Sequence, residues 1–227
     1  MDLKRKGLAG GLACLMLVLG LLGVALAGNT GGLPERAELT AEAQYAQAQA
    51  SMLYLRCFYP SGALKTTGSG FVVSGDGLVV TAAHVVDKAA WVNAVLPGGE
   101  EVLCTVESCN TDEDLALLRL PAGQYPALPL ADQAPGGGAV LRAMGYPIRD
   151  TLLITEGLVA CPVGKVNEKE RMLVTCDLVN GMSGGPILDR FGQVVGVASG
   201  SVRTMSGVHL SVLPGVLMET VQQGKEK

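Results

Sequence analysis

The chain has 227 residues, 17 basic and 21 acidic side chains, a formal charge of −4 and 48% hydrophobic residues. That suffices for one domain, or for two small barrels sharing a core, and the mild acidity argues against nucleic acid or an anionic membrane surface as partner. Thirty-one glycines, 11 prolines and only 4% aromatic residues imply short strands, many turns and an aliphatic interior.

Residues 1–27 read as an export leader. Lys4, Arg5 and Lys6 precede an apolar run over 8–26, and Ala25-Leu26-Ala27 has the small-x-small form of a cleavage site. The run also reaches the roughly 20 residues needed to span a bilayer, so a cleaved signal and a retained anchor over 8–27 both stay open. In either case the positive residues remain inside and the rest is exported, facing outward as a secreted, periplasmic or anchored protein. Cleavage would remove three positive charges and one negative, taking −4 to −6. Residues 28–52 are expected to be a glycine-rich spacer followed by a helix from Pro34 to about Leu55, a stalk or a cap with no chemistry of its own.

From Met52 onward short β-type runs take over, and 53–227 reads as one domain. The runs 70–73 and 78–81 flank Ser74-Gly75-Asp76-Gly77, a strong hairpin signal. Further strands are expected at 90–96, 101–106, 115–120, 139–144, 152–159, 171–177, 187–188, 193–199 and 207–212, and a terminal helix from Pro214. About a dozen short strands point to an all-β barrel or sandwich. No internal sequence repeat is visible.

Five cysteines lie outside the leader: Cys57, Cys104, Cys109, Cys161 and Cys176. An oxidising compartment permits disulfides, and Cys161 with Cys176, flanking a hairpin, is the favoured pair. Buried apolar thiols are the other reading. The spacing is not that of a zinc site.

Three residues carry the chemical argument. Ser183 sits in Gly181-Met182-Ser183-Gly184-Gly185-Pro186, a tight turn whose backbone amides can face the same space as the hydroxyl. A serine is a weak nucleophile at neutral pH and needs a base, which in turn needs an orienting acid. His84 ends Thr81-Ala82-Ala83-His84, and Asp114 opens Asp114-Leu115-Ala116-Leu117-Leu118. Asp112 competes with Asp114 for the acid's role.

These stretches, with Gly68-Ser69-Gly70-Phe71, resemble the trypsin-like serine peptidases, and most of all the bacterial HtrA-type branch, over about residues 53–221. The order His, Asp, Ser is that of the chymotrypsin fold. Ala127-Leu128-Pro129-Leu130-Ala131-Asp132 and Met144-Gly145-Tyr146-Pro147 are similar to the family's inter-barrel region. The resemblance implies a chymotrypsin-like double six-stranded antiparallel β-barrel with an N-terminal helix and a short C-terminal helix. It implies a serine endopeptidase in which Ser183 attacks, His84 carries the proton, Asp114 holds the imidazole, and the N–H groups of Gly181 and Ser183 form the oxyanion hole. No cofactor or metal is expected, and the partners are polypeptide substrates.

Two departures qualify it. Only 13 residues follow Pro214, too few for the PDZ domain usual in HtrA proteins. Met182 replaces the polar residue usual before the serine. An inactive peptide-binding or sensor module on the same fold is the alternative. An esterase of another fold would need a helix after Ser183, which Pro186 disfavours. Specificity stays open: Asp177, six residues before Ser183, suits basic substrates, Ser199-Gly200-Ser201 would wall the pocket, and His209 would favour acidic side chains.

Overall fold

A computed structural model describes residues 37–202 and 204–226. The leader expected over 1–27 lies outside the described residues. Among the described residues no helix is long and apolar enough to cross a membrane.

Helix α1 (Ala41–Ala48) is capped by Thr40, whose Oγ1 accepts from Ala43 N at 3.1 Å. It is shorter than the expected 34–55 because β1 already begins at Met52. The alternation in Leu53-Tyr54-Leu55-Arg56-Cys57 fits a strand buried on one face. The helix is docked: Gln44 Nε2 donates to Asp189 O at 2.8 Å, and Leu39 N to Arg190 O at 2.8 Å.

The first closed barrel comprises β1 (Met52–Phe58), β2 (Leu64–Val72), β3 (Leu78–Thr81), β4 (Trp91–Val95), β5 (Glu101–Asn110) and β6 (Leu115–Arg119). A single helical turn, α2 (Ala83–Val86), follows β3. The second barrel comprises β7 (Val140–Ile148), β8 (Thr151–Val166), β9 (Lys169–Val174), β10 (Pro186–Leu188), β11 (Val194–Ser201) and β12 (His209–Val212), and α3 (Pro214–Lys225) closes the chain. Both barrels are antiparallel and wound alike: β1-β2-β3-β6-β5-β4 corresponds to β7-β8-β9-β12-β11-β10. The expected all-β chymotrypsin-like architecture is the one found.

Three apolar cores explain the uninterrupted hydrophobic runs. Val79, Ala116 and Leu118 fill the first barrel, whereas their neighbours Leu78, Val80, Leu115 and Leu117 face a shared core with Met144, Leu188, Val197 and Val212 of the second barrel. A strand buried on both faces has no polar side, so these segments read as continuous apolar stretches. Leu217 and Val221 of α3 and Ala48 of α1 seal the same shared core.

The favoured disulfide is not formed; all five cysteines are free thiols. Cys161 is opposite Leu173, whereas Cys176 lies three residues beyond Leu173 in the core inside the second barrel. That offset, at about 3.3 Å per residue, exceeds what a disulfide can bridge. Burial pushes the Cys57 and Cys176 thiols up to about 11 and Cys104 up to about 12, which keeps them protonated and inert.

Candidate active site

Strand pairing brings His84 and Asp114 together. β3 and β6 run antiparallel with Thr81 opposite Ala116, so the chain leaving β3 lies beside the chain entering β6. His84 is three residues past Thr81, on α2, and Asp114 is two before Ala116. The two carboxylate oxygens of Asp114 each lie 2.9 Å from His84 Nδ1, and Oδ1 also accepts from the His84 backbone N–H at 2.9 Å. Asp114 adopts φ 56°, a left-handed conformation that aspartate tolerates better than most residues. Its side chain is 17% exposed and that of His84 47%, so a sheltered acid stands behind an open imidazole. Burial pushes the Asp114 carboxyl up, but the hydrogen bonds from His84 and Ser199 and the His84 charge outweigh it and hold it below the ordinary value. Asp112 is turned elsewhere and accepts Lys169 Nζ at 2.9 Å.

The turn carrying Ser183 belongs to the second barrel. Gly184 N donates to Ala198 O at 2.8 Å, and Ala198 N to Gly185 O at 2.9 Å. Met182 is fully buried in the core inside the second barrel, so its apolar side chain anchors the turn. Gly181 has φ +94°, and a Cβ there would lie 2.7 Å from Tyr146 O. Among the described residues, neither Gly181 N–H nor Ser183 N–H donates to a protein acceptor.

Ser69 fastens this turn to the first barrel. Its N donates to Ser183 O and its Oγ to Gly181 O, both at 2.8 Å, while Tyr146 N donates to the same Oγ at 2.8 Å. Thr81 Oγ1 donates to Ser69 O at 2.7 Å. Ser69 is fully buried and has all its groups satisfied.

Ser183 and His84 border one cleft of about 380 Å³ between the barrels, with Thr66, Thr67, Val85, Pro147, Asn180 and Gly181. Among the described residues Ser183 makes no hydrogen bond to the His84 imidazole. Ser183 also borders a second, small cavity of about 70 Å³ with Leu178, Val179, Asn180, Ala198, Gly200, Ser201 and His209.

The "Trypsin-like peptidase domain" family model matches residues 68–197, which include all three of these side chains. The chain belongs to the trypsin-like peptidase family. It is 33% identical over 171 residues to the mitochondrial serine protease HTRA2 of Bos taurus, covering 71% of this chain and 37% of that protein. It is 30% identical over 155 residues to the serine protease HTRA4 of Homo sapiens, covering 64% and 32%. The chain thus spans about a third of the length of these curated relatives. Among solved structures, the serine endoprotease from Yersinia pestis superimposes with a TM-score of 0.72 at 20% identity, over 82% of this chain and 67% of that one. An HtrA-type protease with a tripeptide gives 0.73 at 19% identity, over 81% and 63%. These likenesses show the fold.

Within the trypsin-like domain, two of the residues considered for specificity sit elsewhere than expected. Asp177 is exposed and absent from the cavity lining, and its backbone O accepts from Thr155 Oγ1 at 2.8 Å. Ser199 is not a pocket wall: its Oγ donates to Asp114 Oδ2 at 2.5 Å. The register of β11 against β12 shifts between Ala198 and Gly200, and this bulge leaves Ser199 unpaired and turned towards the acid. Gly200 and Ser201 do border the cavity, as does His209.

Arg171, unmarked by any sequence signal, clamps the Asp114 turn across the barrels. It is 6% exposed on β9, and its guanidinium donates to Glu113 Oε2 at 3.1 Å and to Asp112 O at 3.0 Å. Charge-assisted bonds of this kind contribute about 1.5–3 kcal/mol. Arg171→Ala is expected to destabilise the domain by about 2 kcal/mol, lowering Tm by about 4–8 °C in a thermal unfolding scan.

Proposed function

We propose that this chain is an exported serine endopeptidase that cleaves extracytoplasmic polypeptides through a Ser183–His84–Asp114 triad and an acyl-enzyme. The observation that carries the reading is the His84–Asp114 pair opening into the same cleft as a glycine-flanked serine. His84 Nδ1–H donates to Asp114, which leaves Nε2 free to take the Ser183 proton as Oγ attacks the scissile carbonyl. The resulting oxyanion is received by the uncommitted N–H groups of Gly181 and Ser183, and each such donor contributes about 10²–10³ in rate. The imidazolium then gives its proton to the leaving amine, and water repeats the sequence to release the acyl group. Every step uses side chains and amides of this chain and needs no cofactor.

Export is supported by the positively charged start and apolar run of residues 1–27, which also carry the proposal of a membrane anchor should they be retained. It is supported too by a DegP-like endoprotease of Halomonas elongata whose given name places it in the periplasm.

A fluorophosphonate probe is expected to label the wild type, and Ser183→Ala to abolish both labelling and peptide hydrolysis, as read by gel fluorescence and a quenched peptide. A folded wild type that binds peptides but neither labels nor turns over would identify the alternative, a non-catalytic recognition module.

A further inference from the structure

We propose that His209 makes this enzyme select acidic residues, glutamate or aspartate, at the position just before the scissile bond. This deepens the endopeptidase reading and rests on it. The small cavity beside Ser183 is where the side chain of that residue must go, since the acyl carbonyl sits over the hydroxyl and the other cleft continues towards His84 and Pro147.

The chemistry of the cavity is set by β11 and β12. Ser201 and His209 are directly opposite each other in that pair, so both side chains stand on one face of the sheet. Gly200, between Ser201 and the bulged Ser199, brings no side chain to the space. Among the lining residues only His209 can carry charge, and no carboxylate is present. Three polar groups therefore converge: the imidazole, the Ser201 hydroxyl and the Asn180 amide. Among the described residues none of the three side chains hydrogen-bonds to protein, and His209 Nδ1 is buried with no partner at all.

Each class of incoming side chain meets this lining differently. Lysine or arginine would bring a cation against an imidazole with no anion to pair it, a costly burial. Asp177, the one acid whose sequence position suited them, is outside the lining. Leucine or valine would leave the buried His209 Nδ1 without a partner and satisfy none of the three groups. A carboxylate accepts from all three, and one bond becomes charge-assisted when the ring is protonated.

The test is a series of fluorogenic peptides identical except at that residue, with Glu, Asp, Gln, Leu or Lys, assayed on wild type and on His209→Leu and His209→Gln. Wild type is expected to cleave the Glu and Asp peptides with kcat/KM at least about tenfold above Gln and Leu, and to leave the Lys peptide nearly untouched. His209→Leu should lose about 10–100-fold on the acidic peptides alone. His209→Gln keeps a donor without the charge and should narrow the gap between Glu and Gln. It also serves if the leucine variant does not fold, as judged by circular dichroism. A preference for Lys or Leu in wild type, or an acidic preference that survives both substitutions, overturns the assignment. Fluorophosphonate labelling of the same wild-type preparation separates the two levels. A labelled enzyme indifferent to acidic residues overturns the role of His209 alone, whereas an unlabelled one overturns the endopeptidase reading with it.

Discussion

Asp114→Asn is expected to lower kcat by about four orders of magnitude while leaving the protein folded, a loss of the size seen when a triad acid becomes an amide. Asp114 accepts four contacts: the His84 backbone N–H, His84 Nδ1 at both oxygens, and the Ser199 hydroxyl. An asparagine has one acceptor oxygen and a donor NH₂. If its oxygen serves the backbone, the NH₂ faces Nδ1 and forces the proton onto Nε2, where it cannot receive one from Ser183. Steady-state hydrolysis and the rate of fluorophosphonate labelling check the outcome, and labelling that proceeds at the wild-type rate would remove Asp114 from the mechanism. The same substitution has a signature in acid. The folded pKa of Asp114 is depressed, so the stability it contributes is complete above the ordinary carboxylate value and drains away as pH falls through the shifted one. Urea unfolding across the acidic range should therefore show a shallower pH dependence for Asp114→Asn than for wild type.

Gly184→Ala is expected to be a severely damaging single-methyl change. The residue has φ +85°, and a Cβ there would lie 2.2 Å from Thr81 Oγ1, 2.3 Å from Ser69 O and 2.8 Å from Ala82 N. The backbone cost is roughly 1–2 kcal/mol and overpacking adds roughly 1–3 kcal/mol, mostly against main chain that cannot step aside. The obstacle lies between the two barrels, so relief comes only by pulling the Ser183 turn away from Ser69. A loss of about 3–5 kcal/mol is expected, with Tm depressed by about 10 °C and labelling abolished. Gly138→Ala is the control: φ is +81°, nothing stands within 4 Å of the added methyl, and only the roughly 1 kcal/mol conformational cost should appear. Equal losses at the two positions would mean that the backbone angle, and not the inter-barrel contact, makes Gly184 necessary.

The sequence disclosed the elements whose causes are local. The Ser74-Gly75-Asp76-Gly77 turn bridges β2 and β3 as expected, with Val73 N bonded to Leu78 O at 2.8 Å, because its glycine-rich chemistry dictates a reversal. The strand positions followed from apolar runs, and their common winding in both barrels was invisible, since a topology can repeat where residues do not. What failed depended on distant partners. The resemblance made Ser199 part of a pocket wall, and only a bulge in β11 re-aims it at Asp114. Asp177 has the spacing of a specificity acid, yet spacing along the chain does not fix the direction of a loop. The pairing of Cys161 with Cys176 assumed a register that β8 and β9 do not adopt. Arg171 could not be singled out at all, because an arginine in a polar hairpin carries no mark that it will be buried against another barrel.

The buried Ser69 bonds to the Ser183 turn on one side and, through Thr81, to the strand leading to His84 on the other. The proposed nucleophile and base thus come from opposite halves of the molecule, and Ser69 is one of the hydrogen-bonded links at the seam. Turnover in such a design is a gauge of alignment. A displacement of about 1 Å between the halves is expected to cost on the order of 10²-fold in rate while both barrels stay folded.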